Sequence, residues 1–196
     1  MRGSPLKWLL NKTNQEYVEY VARIASVSPA FAQVLINRGM KNSDQIYSFL
    51  NPDSVKLSDA FELPNIKKAV DRICHARHNG ERVMVHGDYD ADGVSATAIM
   101  IEGLRKFGIN ASYFIPHRIL HGYGFGIAGL DAAKKAGASL IITVDCGITS
   151  FEAISSANSS GIDVIVTDHH EPVRYSDAPA FQCKLPDALA IVNPKI

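Results

Sequence analysis

The chain has 196 residues with no net formal charge, and 46% of them are hydrophobic, enough for one α/β domain and a smaller appended region. No apolar run approaches the roughly 18 residues of a membrane helix, and the apolar stretch at the start is too short for a signal peptide, so we expect no membrane association. The three cysteines are far apart and include no CxxC pair, which argues against a disulfide framework or a zinc-thiolate site and favours the cytoplasm.

Charge is distributed unevenly along the chain. Residues 1–80 hold eleven Lys and Arg against seven Asp and Glu, whereas residues 81–196 hold nine against thirteen. An acidic pocket for divalent metal, next to a mildly basic region, suits a phosphate-bearing substrate. Short segments also vary this much by chance, and both interpretations stay open.

Residues 13–79 are predicted to be helical. Ser28 and Pro29 begin one helix, at the N-cap and the first helical position, and Gly39 ends it. The next helix is predicted to begin at Ser43 and Asp44 and to end at Asn51 and Pro52. The third is predicted to begin at Asn65 and to end at Asn79 and Gly80. We therefore predict a small helical region over residues 1–80.

After Gly80, short β-rich segments alternate with helical stretches. Predicted strands cover residues 82–86, 111–116, 139–144, 163–167 and 188–192, and predicted helices lie near 93–107, 126–136 and 150–160. The strands are continuous apolar runs, as in a parallel sheet that is covered on both faces. Residues 81–196 are thus predicted to form an α/β domain, a doubly wound and mainly parallel sheet with helices on both faces.

Acidic residues and histidines follow three of the predicted strands. His86, Asp88, Asp90 and Asp92 follow the first, Asp145 follows a later one, and Asp168, His169 and His170 follow the next. Ligands bind beyond the carboxyl ends of strands in an open parallel sheet. Closely packed carboxylates repel one another unless cations lie between them, so the pattern predicts a divalent-metal site. Oxygen ligands with imidazole suit manganese, or magnesium with more water retained.

The first of these acidic segments has two other interpretations. The spacing of Asp88, Asp90 and Asp92 resembles the start of a calcium-binding EF-hand loop. That loop needs Glu at its twelfth position, where this chain has Ile99, and it follows a helix rather than a strand. A solvated acidic turn without ligands is the remaining alternative, and the two other strand ends make it the weaker one.

A glycine-rich segment lies between the second predicted strand and the next helix. Residues 124–129 match the GxGxxG pattern of dinucleotide-binding folds, but residues 116–123 separate them from their strand, which disfavours that function. The segment is either a plain connection or a loop whose exposed amides hold a phosphate near the metals. The predicted phosphate- or substrate-binding residues are Arg118, His121, Gly122, Tyr123, Gly124 and His170.

Three motifs resemble those of the DHH phosphoesterases. They are HGDYDADGVSATA at residues 86–98, VDCG at 144–147 and VTDHHEP at 166–172. Outside these motifs, LINRGM, SFLNP and HRILHGYGFG are similar to the bacterial members that degrade single-stranded DNA. The resemblance extends over essentially the whole chain.

The resemblance implies a two-metal, usually manganese-dependent, hydrolysis of phosphodiesters. The implied enzyme is a 5′-to-3′ exonuclease on single-stranded DNA, in recombination and repair. The implied catalytic residues are Asp90, Asp92, Asp145, His169 and His170, and the implied metal ligands are His86, Asp88, Asp90, Asp92, Asp145 and His169. Asp168 is expected to orient the ligands.

The chain departs from the family pattern at its C-terminal end. The family has a fourth motif with a further metal-binding Asp, and a second domain that closes over the nucleic acid. The sequence ends in IVNPKI at residues 191–196, just before that motif, so we expect an incomplete two-metal site. Two alternatives therefore stay open: a non-catalytic module that binds metal or a partner protein, and a phosphoesterase that acts on short oligonucleotides.

Overall fold

The computed structural model divides into two compact units, Met1–Ser58 and Asp59–Ile196. The residues it describes are 11, 13–40, 42–175 and 183–196. Sequence analysis placed the boundary after residue 80. The structure divides earlier because the helix before residue 80 packs against the sheet of the second unit.

Among its described residues, the first unit contains three α-helices, α1 (Gln15–Ala25), α2 (Pro29–Asn37) and α3 (Ser43–Leu50), followed by a short 3-10 helix (Pro52–Ser54). Ser28 caps α2, as predicted, and its hydroxyl accepts a hydrogen bond from the amide of Phe31 at 3.3 Å. The helix α3 begins at Ser43, as predicted, and Asn42 caps it, because its side chain accepts a hydrogen bond from the amide of Gln45 at 2.9 Å. The core of its described part is formed by Val18, Val21, Ala22, Ala32, Leu35 and Ile46.

The second unit is built on a five-stranded sheet in which every paired strand is parallel, with the order β2-β1-β3-β4-β7. The strands in chain order are β1 (Arg82–His86), β2 (Asn110–Phe114), β3 (Leu140–Val144), β4 (Asp163–Thr167), β5 (Val173–Arg174), β6 (Cys183–Lys184) and β7 (Ala190–Val192). Its helices are α4 (Ile66–His78), α5 (Ala91–Lys106), α6 (Ile127–Ala136) and α7 (Phe151–Ser159). The predicted α/β architecture is confirmed.

Helices cover both faces of the sheet, because alternate side chains of each strand point to opposite sides. In β1, Val83 and Val85 belong to the buried cluster that includes α4 and α5, whereas Met84 belongs to the cluster that includes α6 and α7. Burying one large aliphatic side chain stabilises a fold by about 1.5–3 kcal/mol, so these two clusters hold the sheet between its helices.

A short antiparallel ribbon of β5 and β6 was not predicted. Two-residue strands carry too little periodic pattern to be detected in a sequence. The start of α5 was also predicted two residues late, because Asp90 is its N-cap and the helix begins at Ala91. Within the described residues, no helix is both long enough and apolar enough to cross a membrane.

Candidate metal centre

The connection from β1 to α5 places two of the predicted aspartates at a helix N-terminus. The side chain of Asp90 caps α5 and accepts a hydrogen bond from the amide of Gly93 at 2.9 Å, and Asp92 lies in the first turn. The N-terminal end of a helix dipole favours negative charge, so carboxylates are well suited to both positions. Gly93 is required here, because a Cβ atom would lie 2.6 Å from the backbone nitrogen of Asp88.

The turn after β3 presents Asp145 in an unusual conformation. Asp145 has φ +60°, in the left-handed region that Asp enters more readily than most residues, and its amide donates to the carbonyl of Thr167 at 3.0 Å. Gly147 follows with φ +112°. This turn points the carboxylate of Asp145 along the same edge of the sheet as the end of β4.

Asp168 organises the segment after β4. Its buried carboxylate accepts hydrogen bonds from the amides of Ile148 at 2.9 Å, His169 at 2.7 Å and His170 at 3.0 Å. It also lies 2.8 Å from Nδ1 of His170. When Nδ1 donates this hydrogen bond, Nε2 is the acceptor nitrogen of that ring. These contacts fix the segment after β4, and the orienting role of Asp168 towards a metal ligand stays a prediction.

Three predicted residues meet at the carboxyl edge of the sheet. Nε2 of His169 lies 3.0 Å from Oδ1 of Asp145. One potential ligand atom each from Asp145, His169 and His170 lies within 4.8 Å of the others. Carboxylate oxygen and imidazole nitrogen are ligands that manganese accepts, so this donor set fits the metal that the sequence predicts.

Charged residues of the first motif also act on this cluster. Burial raises the pKa of Asp145 above its usual range, and the negative charges of Asp90 and Asp92 raise it further, against the opposing effect of His169 and His170. The charges of Asp90 and Asp92 therefore repel that of Asp145. A bound divalent cation would relieve this repulsion.

Two other predicted ligands, His86 and Asp88, are buried beside the cluster. Oδ1 of Asp88 and Nε2 of His86 have no hydrogen-bond partner among the described residues. The ring of His86 packs against Phe114 and Phe125, with centroids 5.4 and 5.0 Å away, and burial lowers its pKa to about 4, so it is neutral. Neither residue is part of the three-residue cluster, and their ligand role stays a prediction.

Aromatic and basic residues line the approach to the cluster. The hydroxyl of Tyr123 lies 3.2 Å from Nδ1 and 3.3 Å from Nε2 of His170. Burial, and then the charge of Asp168, raise the pKa of Tyr123, so the hydroxyl stays protonated. Arg118 lies over the ring of Tyr89 at 4.7 Å, and Tyr89 contacts Tyr123 edge to face.

The other predicted substrate-binding residues shape the loop rather than reach the cluster. Nδ1 of His121 accepts from the amide of His117 at 3.0 Å, which closes a turn, and its ring lies beside Phe114. Gly122 and Gly124 have φ values of +76° and +81°, in the left-handed region that favours glycine.

Sequence analysis missed two residues of this site. Tyr89 lies inside the first motif, and its position between two aspartates was the available signal. Asn193 is fully buried, its amide donates to the carbonyl of His170 at 3.0 Å, and its Oδ1 accepts from the amide of Lys195 at 2.8 Å. The Asn-Pro pair is visible in the sequence, but a contact over 23 positions has no local pattern.

Comparison with known proteins identifies a family. Residues 82–195 match the model described as the DHH family, N-terminal domain. The chain is 37% identical over 195 residues to the single-stranded-DNA-specific exonuclease RecJ of Bacillus subtilis, a match that covers 100% of this chain and 24% of that protein. It is also 37% identical over 174 residues to RecJ of Escherichia coli, covering 88% and 28%. The chain thus spans about a quarter of the length of these curated relatives.

Solved structures give the same result for the fold. An exonuclease RecJ bound to manganese superposes with a TM-score of 0.61 at 35% identity, covering 71% of this chain and 34% of that one. RecJ from Thermus thermophilus in complex with Mn²⁺ gives a TM-score of 0.60 at 29% identity, covering 93% and 24%. The strand ends described above therefore lie in a domain that is similar to part of a manganese-binding exonuclease.

Proposed function

This chain belongs to the DHH family, and we propose that it is the metal-binding part of an exonuclease that hydrolyses single-stranded DNA from the 5′ end. One observation carries the proposal: Asp145, His169 and His170 converge at the edge of the sheet, and the carboxylates of Asp90 and Asp92 raise the pKa of Asp145. The similarity to RecJ supplies the substrate class.

Manganese or magnesium is the cofactor that we propose. Its ligands would be Asp90, Asp92, Asp145 and His169, which supply the oxygen and imidazole donors these ions accept. His86 and Asp88 are further candidate ligands because each has a buried atom without a partner among the described residues, which a cation would satisfy. The chemistry the metal supplies when bound is a water of lowered pKa and neutralisation of charge on the phosphoryl oxygens.

The protein groups around the metal would position the phosphodiester. Asp168 fixes the ring of His170 through Nδ1, and the hydroxyl of Tyr123 lies 3.3 Å from Nε2 of that ring. Because Tyr123 stays protonated, its single hydroxyl proton can turn from His170 to a bound phosphate oxygen, where charge increases during hydrolysis. Arg118, held over the ring of Tyr89, can pair with a neighbouring phosphate of the strand.

The first test combines metal binding with hydrolysis. The protein is incubated with manganese and 5′-labelled single-stranded DNA, beside a duplex and a dinucleotide, and manganese binding is measured by calorimetry. The informative variant is Asp90→Asn, because Asn caps a helix as well as Asp does and leaves α5 intact. The matched control is Asp131→Ala, an exposed aspartate on α6.

We expect manganese binding and release of mononucleotides from the single strand, both lost in Asp90→Asn and kept in Asp131→Ala. Manganese binding without hydrolysis would indicate instead a non-catalytic metal-binding module. Preferred cleavage of the dinucleotide would indicate a phosphoesterase for short oligonucleotides. No manganese binding would show that the ligand assignment is wrong.

A further inference from the structure

A cavity of about 530 Å³ opens beside the candidate metal centre. Two segments beyond the carboxyl edge of the sheet line it. They are residues 123–127, which lead into the start of α6, and residues 149–153, which lead into α7. Tyr123 joins the cavity to the cluster, because it lines the cavity while its hydroxyl contacts His170. A group in this cavity would therefore be a direct neighbour of a phosphate held at the metals.

The walls of the cavity combine an aromatic ring with groups of opposite charge. The half-buried ring of Phe151 forms one wall, and Nζ of Lys184 lies 4.7 Å from its centroid. Thr149 and Ser150 add hydroxyl groups, and Glu152 adds an exposed carboxylate. This set offers one flat apolar surface together with donors and acceptors of hydrogen bonds.

These walls fit a nucleobase better than a second phosphate. The volume lies within the roughly 300–1,000 Å³ of small-molecule sites and is much larger than a phosphate group needs. The carboxylate of Glu152 would repel a phosphate, whereas a base can accept from Lys184 and donate to Glu152. A base also has a flat face that stacks on aromatic side chains.

We propose that this cavity binds the nucleobase next to the phosphodiester at the metal centre, an inference that rests on the proposed function. Phe151 provides the stacking surface, and Lys184 and Glu152 bind the polar edge of the base. Binding then depends on the presence of a base at this position of the strand, in addition to the phosphates.

The test measures binding of a short single strand with 2-aminopurine at its 5′ nucleotide, whose fluorescence is quenched by stacking. An otherwise identical strand with an abasic 5′ nucleotide competes. Manganese is present, and the first linkage of both strands is a non-hydrolysable analogue of the phosphodiester, so that the metal centre is intact and the probe is not consumed. The informative variants are Phe151→Leu, which keeps an apolar side chain but removes the ring, and Lys184→Ala. Lys135→Ala, at an exposed lysine in the last turn of α6, is the matched control.

We expect quenching on binding, and an affinity for the base-containing strand at least about fivefold higher than for the abasic strand. Phe151→Leu and Lys184→Ala should reduce that ratio without changing the affinity for the abasic strand, and Lys135→Ala should leave the ratio unchanged. Circular dichroism checks that each variant is folded. Equal affinities for the two strands, or a ratio that Phe151→Leu and Lys184→Ala leave unchanged, would overturn the proposal.

The outcome separates this inference from the proposed function. Hydrolysis by the unmodified chain without a base-dependent affinity would overturn the base pocket alone. A base-dependent affinity that the two variants remove, in a chain that does not hydrolyse DNA, would support the pocket while the exonuclease proposal failed.

Discussion

At the scale of single residues, the turn after β3 depends on backbone conformations that few side chains allow. Asp145 lies in the left-handed region, and Gly147 has φ +112° with no room for a Cβ atom, which would lie 2.5 Å from Oγ1 of Thr143. That hydroxyl is itself fixed, because it donates to the carbonyl of Cys146 at 2.8 Å. The direction of the Asp145 carboxylate therefore depends on a glycine two positions later.

The substitution Gly147→Ala should destabilise the protein by about 1–3 kcal/mol, because alanine is strained at this φ and its Cβ would clash with Thr143. Gly103→Ala is the matched control: it lies within α5 with open space around it and should stabilise the helix by about 0.5–1 kcal/mol. Urea unfolding of both variants measures the two changes. Equal effects of the same sign would show that the local conformation does not matter.

At the scale of elements, one group of charged side chains fastens α4 to the sheet. Arg72 of α4 donates from Nη2 to Glu81 at 2.7 Å and from Nε to Asp163, the first residue of β4, at 2.6 Å. Glu81 also accepts a hydrogen bond from the hydroxyl of Ser139. Only 11% of the Arg72 side chain and 16% of the Glu81 side chain are exposed, so this pair is shielded from water.

Removing the arginine should leave the buried carboxylate of Glu81 without its buried cationic partner, with only the hydroxyl of Ser139 and the exposed ring of His75 beside it. We expect Arg72→Met to lower the free energy of unfolding by about 3 kcal/mol at neutral pH. In contrast, Lys67→Ala, which breaks an exposed pair with Asp71 on the same helix, should change stability little. A similar loss in both variants, measured by urea unfolding, would contradict the role of burial.

The effect of Arg72→Met should also depend on pH. Partial burial acts to raise the pKa of Glu81, but the hydrogen bonds from Ser139 and Arg72 outweigh it and lower the pKa below the ordinary value of 4.5. A carboxylate with a lowered pKa in the folded state stabilises the fold above its unfolded pKa, and this contribution is lost as the pH falls through the folded pKa. The difference between wild type and variant should therefore be full at about pH 7 and shrink below pH 4.5. A difference that grows in acid would show that Glu81 is not the partner.

At the scale of the whole molecule, the carboxylates of the candidate metal centre destabilise the folded state when no metal is bound. The raised pKa of Asp145 means that folding disfavours its charged form, through burial and through repulsion from Asp90 and Asp92. Because these carboxylates come from separate strand ends, a cation bound between them would link the segments after β1 and β3. Binding to the folded state alone then raises the stability of the whole unit.

Manganese at about 100 times its dissociation constant should raise the free energy of unfolding by about 2.7 kcal/mol, and a chelator should reverse the change. In Asp145→Asn this gain should be lost, while the metal-free variant should be at least as stable as wild type, because a disfavoured charge has been removed. Thermal unfolding with manganese and with chelator measures both. A metal-free variant that is clearly less stable would contradict the repulsion inferred from the pKa.

Much of the fold followed from local patterns in the sequence. Ser28 and Pro29 marked the start of α2 because capping depends on neighbouring residues alone. The apolar runs of β1, β3 and β4 identified buried parallel strands because both faces of such strands are covered. The boundary between the units was predicted after residue 80, but it lies after Ser58. The helix α4 is amphipathic like the helices of the first unit, and its local sequence pattern does not indicate that it packs against the sheet.

The sequence by itself determined the α/β class and the residue types at the strand ends, since strand periodicity and motif spacing are properties of adjacent residues. Only the tertiary structure decided which of those residues meet. It brought Asp145, His169 and His170 together, buried His86 between two phenylalanines and joined Tyr123 to His170 across 47 positions of the chain. Distances between side chains depend on strand order and helix packing, and these are fixed by contacts that are remote in sequence.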